Sequence, residues 1–133
     1  MIYLDSNIFI FLNAYAYEKE EYKKTLEKIN ELIENKETFV TSTLTWDEIT
    51  YIIRKQFGTK RAVIEGDKFL KFPRLLIMPV TLETIKATQN LIKEGLKPRD
   101  AIHAACAIEN NCKYILTDDD KFDKIKELKR IKV

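Results

Sequence analysis

Two stretches, Ile2-Tyr3-Leu4-Asp5 and Tyr114-Ile115-Leu116-Thr117-Asp118-Asp119, have the same form: a β-prone apolar run that ends in aspartate. Further β-prone runs over residues 38–41, 75–80 and 130–133 alternate with helical patterns along the chain. Strands that alternate with helices are typical of α/β folds with a parallel sheet. The sequence therefore predicts an α/β fold, with a central, mainly parallel sheet of four or five strands flanked by helices.

Apolar residues at helical spacing predict the helices between these strands. The predicted segments are residues 18–34, a helix around 49–57 that ends at Gly58, residues 62–70, a helix capped by Thr81 and closed by Gly95, a helix opened by Pro98, and a short one over 122–128. The segment from Ala101 to Ile108 is small and apolar almost all round, so it is expected to be the central packing helix.

Composition narrows the class of protein. The 133 residues are 45% hydrophobic and 33% charged with 3 Gly and 3 Pro, which fits one folded domain over residues 1–133 and excludes a low-complexity chain. Cys106 and Cys112 do not match a zinc pattern and are expected to be reduced core residues. Without a signal peptide or a membrane-spanning run, the chain is expected to be cytoplasmic. The net charge of +2 neither requires nor excludes a nucleic-acid partner.

Aspartates stand where an α/β fold places its ligands. Asp5 directly follows the first predicted strand, and Asp119, with Asp118 and Asp120 beside it, follows the run over residues 114–117. In open parallel sheets the ligand crevice lies outside the carboxyl ends of the strands. Two strands that both end in aspartate bring negative charges together unless a cation lies between them.

Glu48 has two interpretations. Thr45 and Glu48 have the spacing of a capping box, in which Glu48 bonds back to the Thr45 backbone amide at the start of a helix. Alternatively, Glu48 is a candidate metal ligand, because it lies at the boundary of the buried face of its helix. The neighbouring Asp47 lies about 160° from the centre of that face and is expected to face water.

Asp100 stands in the first turn of the helix that Pro98 opens, where the helix dipole favours an acid. It is either a solvated first-turn residue or a buried carboxylate in need of a partner, since it shares a helix face with Ala104 and Ala107. His103, three residues on, is expected to lie beside Asp100 as a structural or supporting group.

Short polar residues flank the acids. Ser6 and Asn7 follow Asp5, Ser42 precedes the Glu48 helix, and Thr117 precedes the aspartate run. They either hydrogen-bond carboxylates and metal-bound water or act as ordinary caps and turn residues.

Four motifs occur in order: Leu4-Asp5-Ser6-Asn7, Ser42-x-x-Thr45-x-x-Glu48, Arg99-Asp100-Ala101-Ile102-His103-Ala104-Ala105 and Leu116-Thr117-Asp118-Asp119-x-x-Phe122. Together they resemble the PIN domain family, which includes the VapC-type toxin ribonucleases, and the resemblance covers the whole chain. Position by position, the four acids of the family fall on Asp5, Glu48, Asp100 and Asp119. The family's Thr-x-Asp pattern selects Asp119, with the adjacent Asp118 as the alternative.

The resemblance implies a three-layer fold and an endoribonuclease that depends on Mg²⁺ or Mn²⁺. The four acids would be its catalytic residues and metal ligands, supported by Ser6, Asn7, Thr117 and Asp118. Carboxylate oxygens suit these hard cations, and the sequence offers no thiolate–imidazole set for zinc. Family members leave 5′-phosphate and 3′-hydroxyl ends. Lys121 stands where many relatives have an acid, which could remove a contact to a second metal ion.

Basic residues around the acids are expected to contact RNA phosphates: Lys55, Lys60, Arg61, Lys93, Lys97 and Arg99. Each also has an ordinary interpretation as a solvated surface residue. Trp46, beside Glu48, is expected to pack in the core rather than to stack on a base.

Two kinds of protein partner are expected. Apolar residues in excess over residues 15–33 and 62–70 predict a homodimer. Tyr15, Tyr17 and Tyr22 cluster in the first helical region, and the resemblance implies that this region forms a dimer or docks a cognate antitoxin. The resemblance fits either a toxin or an RNA-processing enzyme.

Two other functions compete with a nuclease. A phosphatase or receiver domain also uses an aspartate after the first strand, but its Asp-x-Asp motif requires an acid at Asn7. A catalytically silent module that binds RNA or protein would keep the fold, although the intact set of four acids argues against it.

Overall fold

The computed structural model describes residues 1–15 and 18–133. Within them the strands are β1 (Ile2–Leu4), β2 (Phe39–Ser42), β3 (Leu75–Met78), β4 (Tyr114–Leu116) and β5 (Lys129–Ile131). The helices are α1 (Ser6–Ala14), α2 (Glu20–Glu34), α3 (Thr43–Phe57), α4 (Thr59–Leu70), α5 (Leu82–Lys93) and α6 (Pro98–Glu109), followed by a 3₁₀ helix over Asp120–Lys124. Tyr17, predicted to join Tyr15 and Tyr22 in a partner surface, lies outside the described residues.

All strand pairings in the sheet are parallel, and the strand order is β3-β2-β1-β4-β5. The chain moves outward from β1 to β3, then returns past β1 to β4. The order therefore reverses between β1 and β4, and in open α/β sheets such a switch point opens a crevice at the carboxyl ends of the strands.

Two hydrophobic cores lie on opposite faces of the sheet. Strand residues alternate between them, because successive side chains of a strand point to opposite faces. Tyr3, Val40 and Ile115 pack in the core that contains α6, whereas Leu4 and Leu116 pack in the other core. The predicted α/β architecture, three layers around a parallel sheet, is confirmed, and the sheet has five strands.

The sequence located every strand, with shifts of one or two residues at the ends of most of them. It missed α1, because Ile8-Phe9-Ile10-Phe11-Leu12 is apolar on all sides and shows no helical periodicity. The helix expected over residues 122–128 is the 3₁₀ helix over Asp120–Lys124.

The direction of α6 brings its first turn to the carboxyl edge of the sheet. Only four residues, 110–113, separate the end of α6 from the start of β4. The end of α6 therefore lies at the amino edge of the sheet, and Asp100, in its first turn, lies at the opposite edge. The sequence alone did not yield this placement.

The exposure of individual side chains and the character of the helices test three further expectations from the sequence. Both cysteines are free and buried, as expected. Trp46 is 46% exposed, so the prediction that it packs in the core is wrong. In the part of the chain that the structure describes, no helix has the length and apolar character needed to cross a membrane.

Candidate active site

Thr117 connects three segments at the switch point. Its hydroxyl donates to Asp5 Oδ2 at 2.7 Å and accepts from Asn7 Nδ2 at 3.2 Å and from the Asp119 amide at 3.0 Å. The other Asp5 oxygen accepts from the Ser6 amide at 2.8 Å. Because one hydroxyl offers one donor and two acceptor lone pairs, Thr117 is fully used and fixes the orientation of the Asp5 carboxylate.

His103 lies under the acids at the centre of a buried network. Its Nε2 is 2.5 Å from Glu48 Oε1 and 3.6 Å from Asp5 Oδ1. Its Nδ1 is 2.7 Å from the Tyr3 hydroxyl, which in turn donates to Ser42 Oγ at 3.0 Å. The network thus ties α3, α6, β1 and β2 together beneath the carboxyl edge.

The donors and acceptors of this network, together with the pKa of His103, indicate a proton on each of its ring nitrogens. Since the Tyr3 hydroxyl gives its proton to Ser42, it accepts one from His103 Nδ1. Nε2 faces two carboxylates and also carries a proton. Burial lowers the pKa of His103, but the bond to Glu48 and the charges of Asp5 and Glu48 outweigh it and hold the pKa above its usual value. The imidazolium is a counter-charge to the acids.

Asp5 itself is buried, at 6% exposure. Burial raises the pKa of its carboxyl, and the positive charge of His103 and the bonds from Thr117 and Ser6 offset only part of that rise. A nearby cation stabilises the charged form of such a buried carboxylate more than that of a solvated one.

Asp100 and Asp119 complete the acidic group from α6 and from the segment after β4. Desolvation, and then the negative charges of Asp119 and Asp5, raise the pKa of Asp100. Asp119 accepts a bond from the Lys121 amide at 2.9 Å, and it lies within electrostatic reach of Asp100. Asp118 is exposed, and its negative charge helps to raise the pKa of Arg130. The side chains of Asp118 and Asp119 therefore have different charged neighbours.

The structure excludes one of the two interpretations of Glu48, the capping box. Helix α3 begins at Thr43 with Ser42 as its N-cap, so Thr45 is not a capping residue and the predicted capping box is wrong. Thr45 instead bonds the Thr41 hydroxyl at 2.7 Å. Glu48 reaches His103 and is half-buried, whereas Asp47 is exposed, as the helical angles predicted.

The basic residues that were expected to contact RNA differ in their distance from the acids. Lys97 and Arg99 line a cleft of about 430 Å³ together with Glu48 and Asp100. Lys55, Lys60 and Lys93 are exposed on α3, α4 and α5.

Arg61 is held elsewhere. It pairs with Glu65 at 2.8 Å, donates to the Asn13 carbonyl at 3.1 Å and lies over the Phe57 ring at 5.6 Å. The structure therefore does not bring Arg61 to the acids, and the expectation that it contacts RNA loses its geometric basis.

Sequence reasoning missed Tyr3 and the contact between His103 and Glu48. His103 was expected beside Asp100, but its closest carboxylate is Glu48, 55 positions away in sequence. One signal could have revealed Tyr3, namely a phenol between Ile2 and Leu4 in a buried strand, because a buried tyrosine hydroxyl needs a hydrogen-bond partner.

The donor chemistry of the four acids fits a hard divalent cation, but they do not form a ready-made cage. Among residues 1–15 and 18–133, no three Asp, Glu, His or Cys side chains are grouped closely enough to hold a metal ion as they stand. Within the same residues, the buried Oδ1 of Asn7 has no hydrogen-bond partner, although Asn7 Nδ2 bonds Thr117. An unsatisfied acceptor beside four carboxylates with a single imidazolium as counter-charge is an environment that suits a hydrated cation.

The fold is shared with solved toxin–antitoxin proteins. A crystal structure of VapBC2 from Rickettsia felis bound to a DNA fragment from its promoter contains a chain similar to this one. The two match at 23% identity and a TM-score of 0.74, over 100% of this chain and 99% of the VapBC2 chain. VapBC-1 from nontypeable Haemophilus influenzae matches at 22% identity and a TM-score of 0.72, over 99% and 98%. Mycobacterium tuberculosis VapC20, a toxin that cleaves the sarcin-ricin loop, matches at 13% and 0.72, over 96% and 98%.

At these identities the structural likeness establishes the fold. No curated protein matches the sequence. The family model of the PIN domain matches residues 2–128, which is nearly the whole chain and includes all four acids of the site. The chain therefore belongs to the PIN domain family.

Proposed function

We propose that this protein is a metal-dependent endoribonuclease in which Asp5, Glu48, Asp100 and Asp119 hold Mg²⁺ or Mn²⁺. The observation that carries the proposal is the convergence of acids from separate segments on the switch point of a parallel sheet. There the only buried counter-charge among the described residues that contacts Asp5 and Glu48 is His103. Membership of the PIN domain family and the likeness to VapC20 support nuclease chemistry.

The residues of the chain have separate tasks in this proposal. A bound divalent cation would polarise the scissile phosphate and lower the pKa of an attacking water. Thr117 and the Ser6 amide hold both oxygens of Asp5 in place. His103 holds one oxygen of Glu48 and leaves the other free to act. Lys97 and Arg99, beside Glu48 and Asp100 in the cleft, attract and orient the phosphate backbone of RNA.

We further propose that the protein is the toxin of a toxin–antitoxin pair, with a cognate antitoxin as its protein partner and a homodimer as its own assembly. The support is that several structures sharing its fold are VapBC complexes. Exposed apolar side chains on α4, with Val63 at 60% and Leu70 at 58% exposure, are consistent with a protein interface in the region predicted for the dimer.

Cleavage of labelled RNA tests the proposed activity. We expect the purified protein to cut single-stranded or structured RNA with Mg²⁺ or Mn²⁺, to leave 5′-phosphate ends, and to stop in EDTA. Asp5→Asn should abolish cleavage while the protein remains folded. Full activity after thorough chelation would contradict the metal-dependent mechanism. No cleavage of any RNA with either metal would favour the alternative, a silent module that binds RNA or protein.

Induction in a bacterial host tests the assignment as a toxin. We expect the wild type to arrest growth and Asp5→Asn to leave growth unchanged at equal expression. Growth unaffected by an enzyme that cleaves RNA in vitro would favour an RNA-processing role instead.

A further inference from the structure

A continuous furrow leads from the acids along α3. The cleft of about 430 Å³ beside Glu48 and Asp100 shares Glu48 and Arg99 with a second depression of about 140 Å³. That depression is also lined by Asp47, Tyr51 and Ile52 of α3. Because the two depressions share residues, a linear ligand at the acids can continue as far as Tyr51 without leaving the surface.

Tyr51 is an aromatic side chain that lines the same depression as Glu48 and Arg99. It lies one helical turn after Glu48, about 4.5 Å along the helix axis, and it is 63% exposed. A shift of that size is less than the length of one nucleotide. A ring left this open to water forgoes burial that a tyrosine normally obtains, and its face is available for stacking.

Unpaired cations accompany the ring. Arg99 shares the depression with Tyr51, Lys97 lies at the end towards the acids, and Lys55 follows Tyr51 by four residues on the same helix face. Within residues 1–15 and 18–133 none of the three makes an ion pair. Their charges are thus available to a ligand, unlike that of Arg61.

The types of side chain along the furrow indicate the class of ligand that it binds. On α3, Glu48, Tyr51 and Lys55 follow one another at intervals of about one helical turn, and Arg99 of α6 lies beside Glu48 and Tyr51 in the second depression. Interleaved aromatic and basic groups are typical of surfaces that bind single-stranded nucleic acid. Asp47 lines the same depression as Tyr51, and its charge disfavours a phosphate on that wall, so the backbone is directed to the Arg99 side and the base to the ring.

We propose that the furrow binds the single-stranded RNA next to the scissile phosphate, with one nucleobase stacked on Tyr51 and the adjoining phosphate paired with Arg99. This inference rests on the proposed ribonuclease function, and it adds where the RNA beside the scissile phosphate binds. Stacking on a tyrosine tolerates any base, so the contact selects unpaired RNA rather than a sequence.

Fluorescence anisotropy with a short, unstructured, labelled oligoribonucleotide tests the site. The titrations are made in EDTA at low salt, so that binding is measured without cleavage. We expect Tyr51→Ala to weaken the Kd by about fivefold or more, the effect of losing one base–aromatic stack. Tyr51→Trp should bind within about twofold of the wild type, because it preserves the stack. Arg99→Gln should reduce the slope of log Kd against log salt by about 0.7, the loss of one phosphate contact.

Tyr114→Ala is the matched control. Tyr114 is 41% exposed but begins β4, at the amino edge of the sheet opposite the acids, so its removal should leave the Kd unchanged. Thermal unfolding of each variant verifies that all are folded. Equal RNA binding by Tyr51→Ala and the wild type would overturn the inference, and would be the result if the furrow instead receives a protein segment.

The same variants separate this inference from the proposed function. If the wild type cleaves RNA and Tyr51→Ala binds and cleaves equally well, the Tyr51 site is wrong and the ribonuclease proposal stands. If no RNA is cleaved with either metal, yet Tyr51→Ala weakens RNA binding while Tyr114→Ala does not, the ribonuclease proposal fails and the binding site stands.

Discussion

Replacement of His103 by glutamine removes the buried cation that faces Asp5 and Glu48. His103 is the only histidine in the sequence and is 1% exposed. Its pKa is raised in the folded protein by Glu48, Asp5 and Asp100 against the opposing effect of burial. A raised pKa means that the stability from this proton is fully present below the unfolded pKa, near 6.5, and is lost as pH rises through the folded pKa.

The magnitude follows from one proton. In the window above about pH 6.5 the folded protein binds one more proton than the unfolded chain, so the free energy of unfolding falls by up to about 1.4 kcal/mol per pH unit. For 133 residues this corresponds to a fall in Tm of about 5 °C per pH unit. The carboxyls of Asp5 and Asp100 also have raised pKa values. The stability that their protons contribute begins to be lost at a lower pH, as the pH rises above about 4.

Thermal unfolding in EDTA, at a series of pH values above 6.5, measures the slope. We expect the Tm of the wild type to fall across this range and the Tm of His103→Gln to be markedly flatter. Glutamine keeps an amide donor near Glu48 but cannot gain a proton. A wild type whose Tm rises with pH, or a variant with the same slope as the wild type, would refute the assignment of an imidazolium beneath the acids.

Three further predictions concern the neighbouring side chains. Glu48→Gln should reduce cleavage about tenfold or more and should diminish the rise in Tm that Mg²⁺ produces, whereas Asp47→Asn should reduce neither; the opposite result would place the wrong acid in the site. Asp100→Asn should raise the metal-free Tm slightly at neutral pH, by about 0.5 kcal/mol of unfolding free energy, because it removes a half-buried charge repelled by other carboxylates; a lower Tm in EDTA would show that this repulsion is absent. Thr117→Val should cost about 2–3 kcal/mol of unfolding free energy in chemical denaturation, since it removes three hydrogen bonds and leaves the buried Asp5 carboxylate without one of its donors, and Thr117→Ser should restore most of the stability; an unchanged midpoint in Thr117→Val would contradict the role assigned to the Thr117 hydroxyl.

The strands and the acids at their ends were predictable because both signals are local. A β-prone run followed by aspartate is visible in residues 2–5 and 114–119, and a parallel sheet brings such ends to one edge. The side of α3 that carries Glu48 was also predictable, since helical angles depend only on spacing. The start of α3 was not, because Ser42 rather than Thr45 occupies the N-cap without any side-chain capping bond.

The contacts of His103 depend on how distant segments pack, and for that reason the sequence could not supply them. Its hydrogen-bond partners Tyr3 and Glu48 come from two other elements, and no spacing rule connects positions 100 and 55 residues apart. Similarly, the surroundings of Trp46 depend on Gly66 of α4, where an added Cβ would lie 3.3 Å from the indole Nε1. The absence of a side chain there lets the ring lie close to α4, in the groove that α3 and α4 form.

Binding of Mn²⁺, followed by the loss of the electron paramagnetic resonance signal of the free ion, tests most directly whether the four acids hold a divalent cation. The account predicts saturable binding by the wild type, strongly weakened binding by Asp119→Asn, and wild-type binding by Asp118→Asn, since the charge of Asp119 acts on Asp100 and Asp118 is exposed. Equal Mn²⁺ binding by the wild type and Asp119→Asn, or no saturable binding by the wild type, would contradict it.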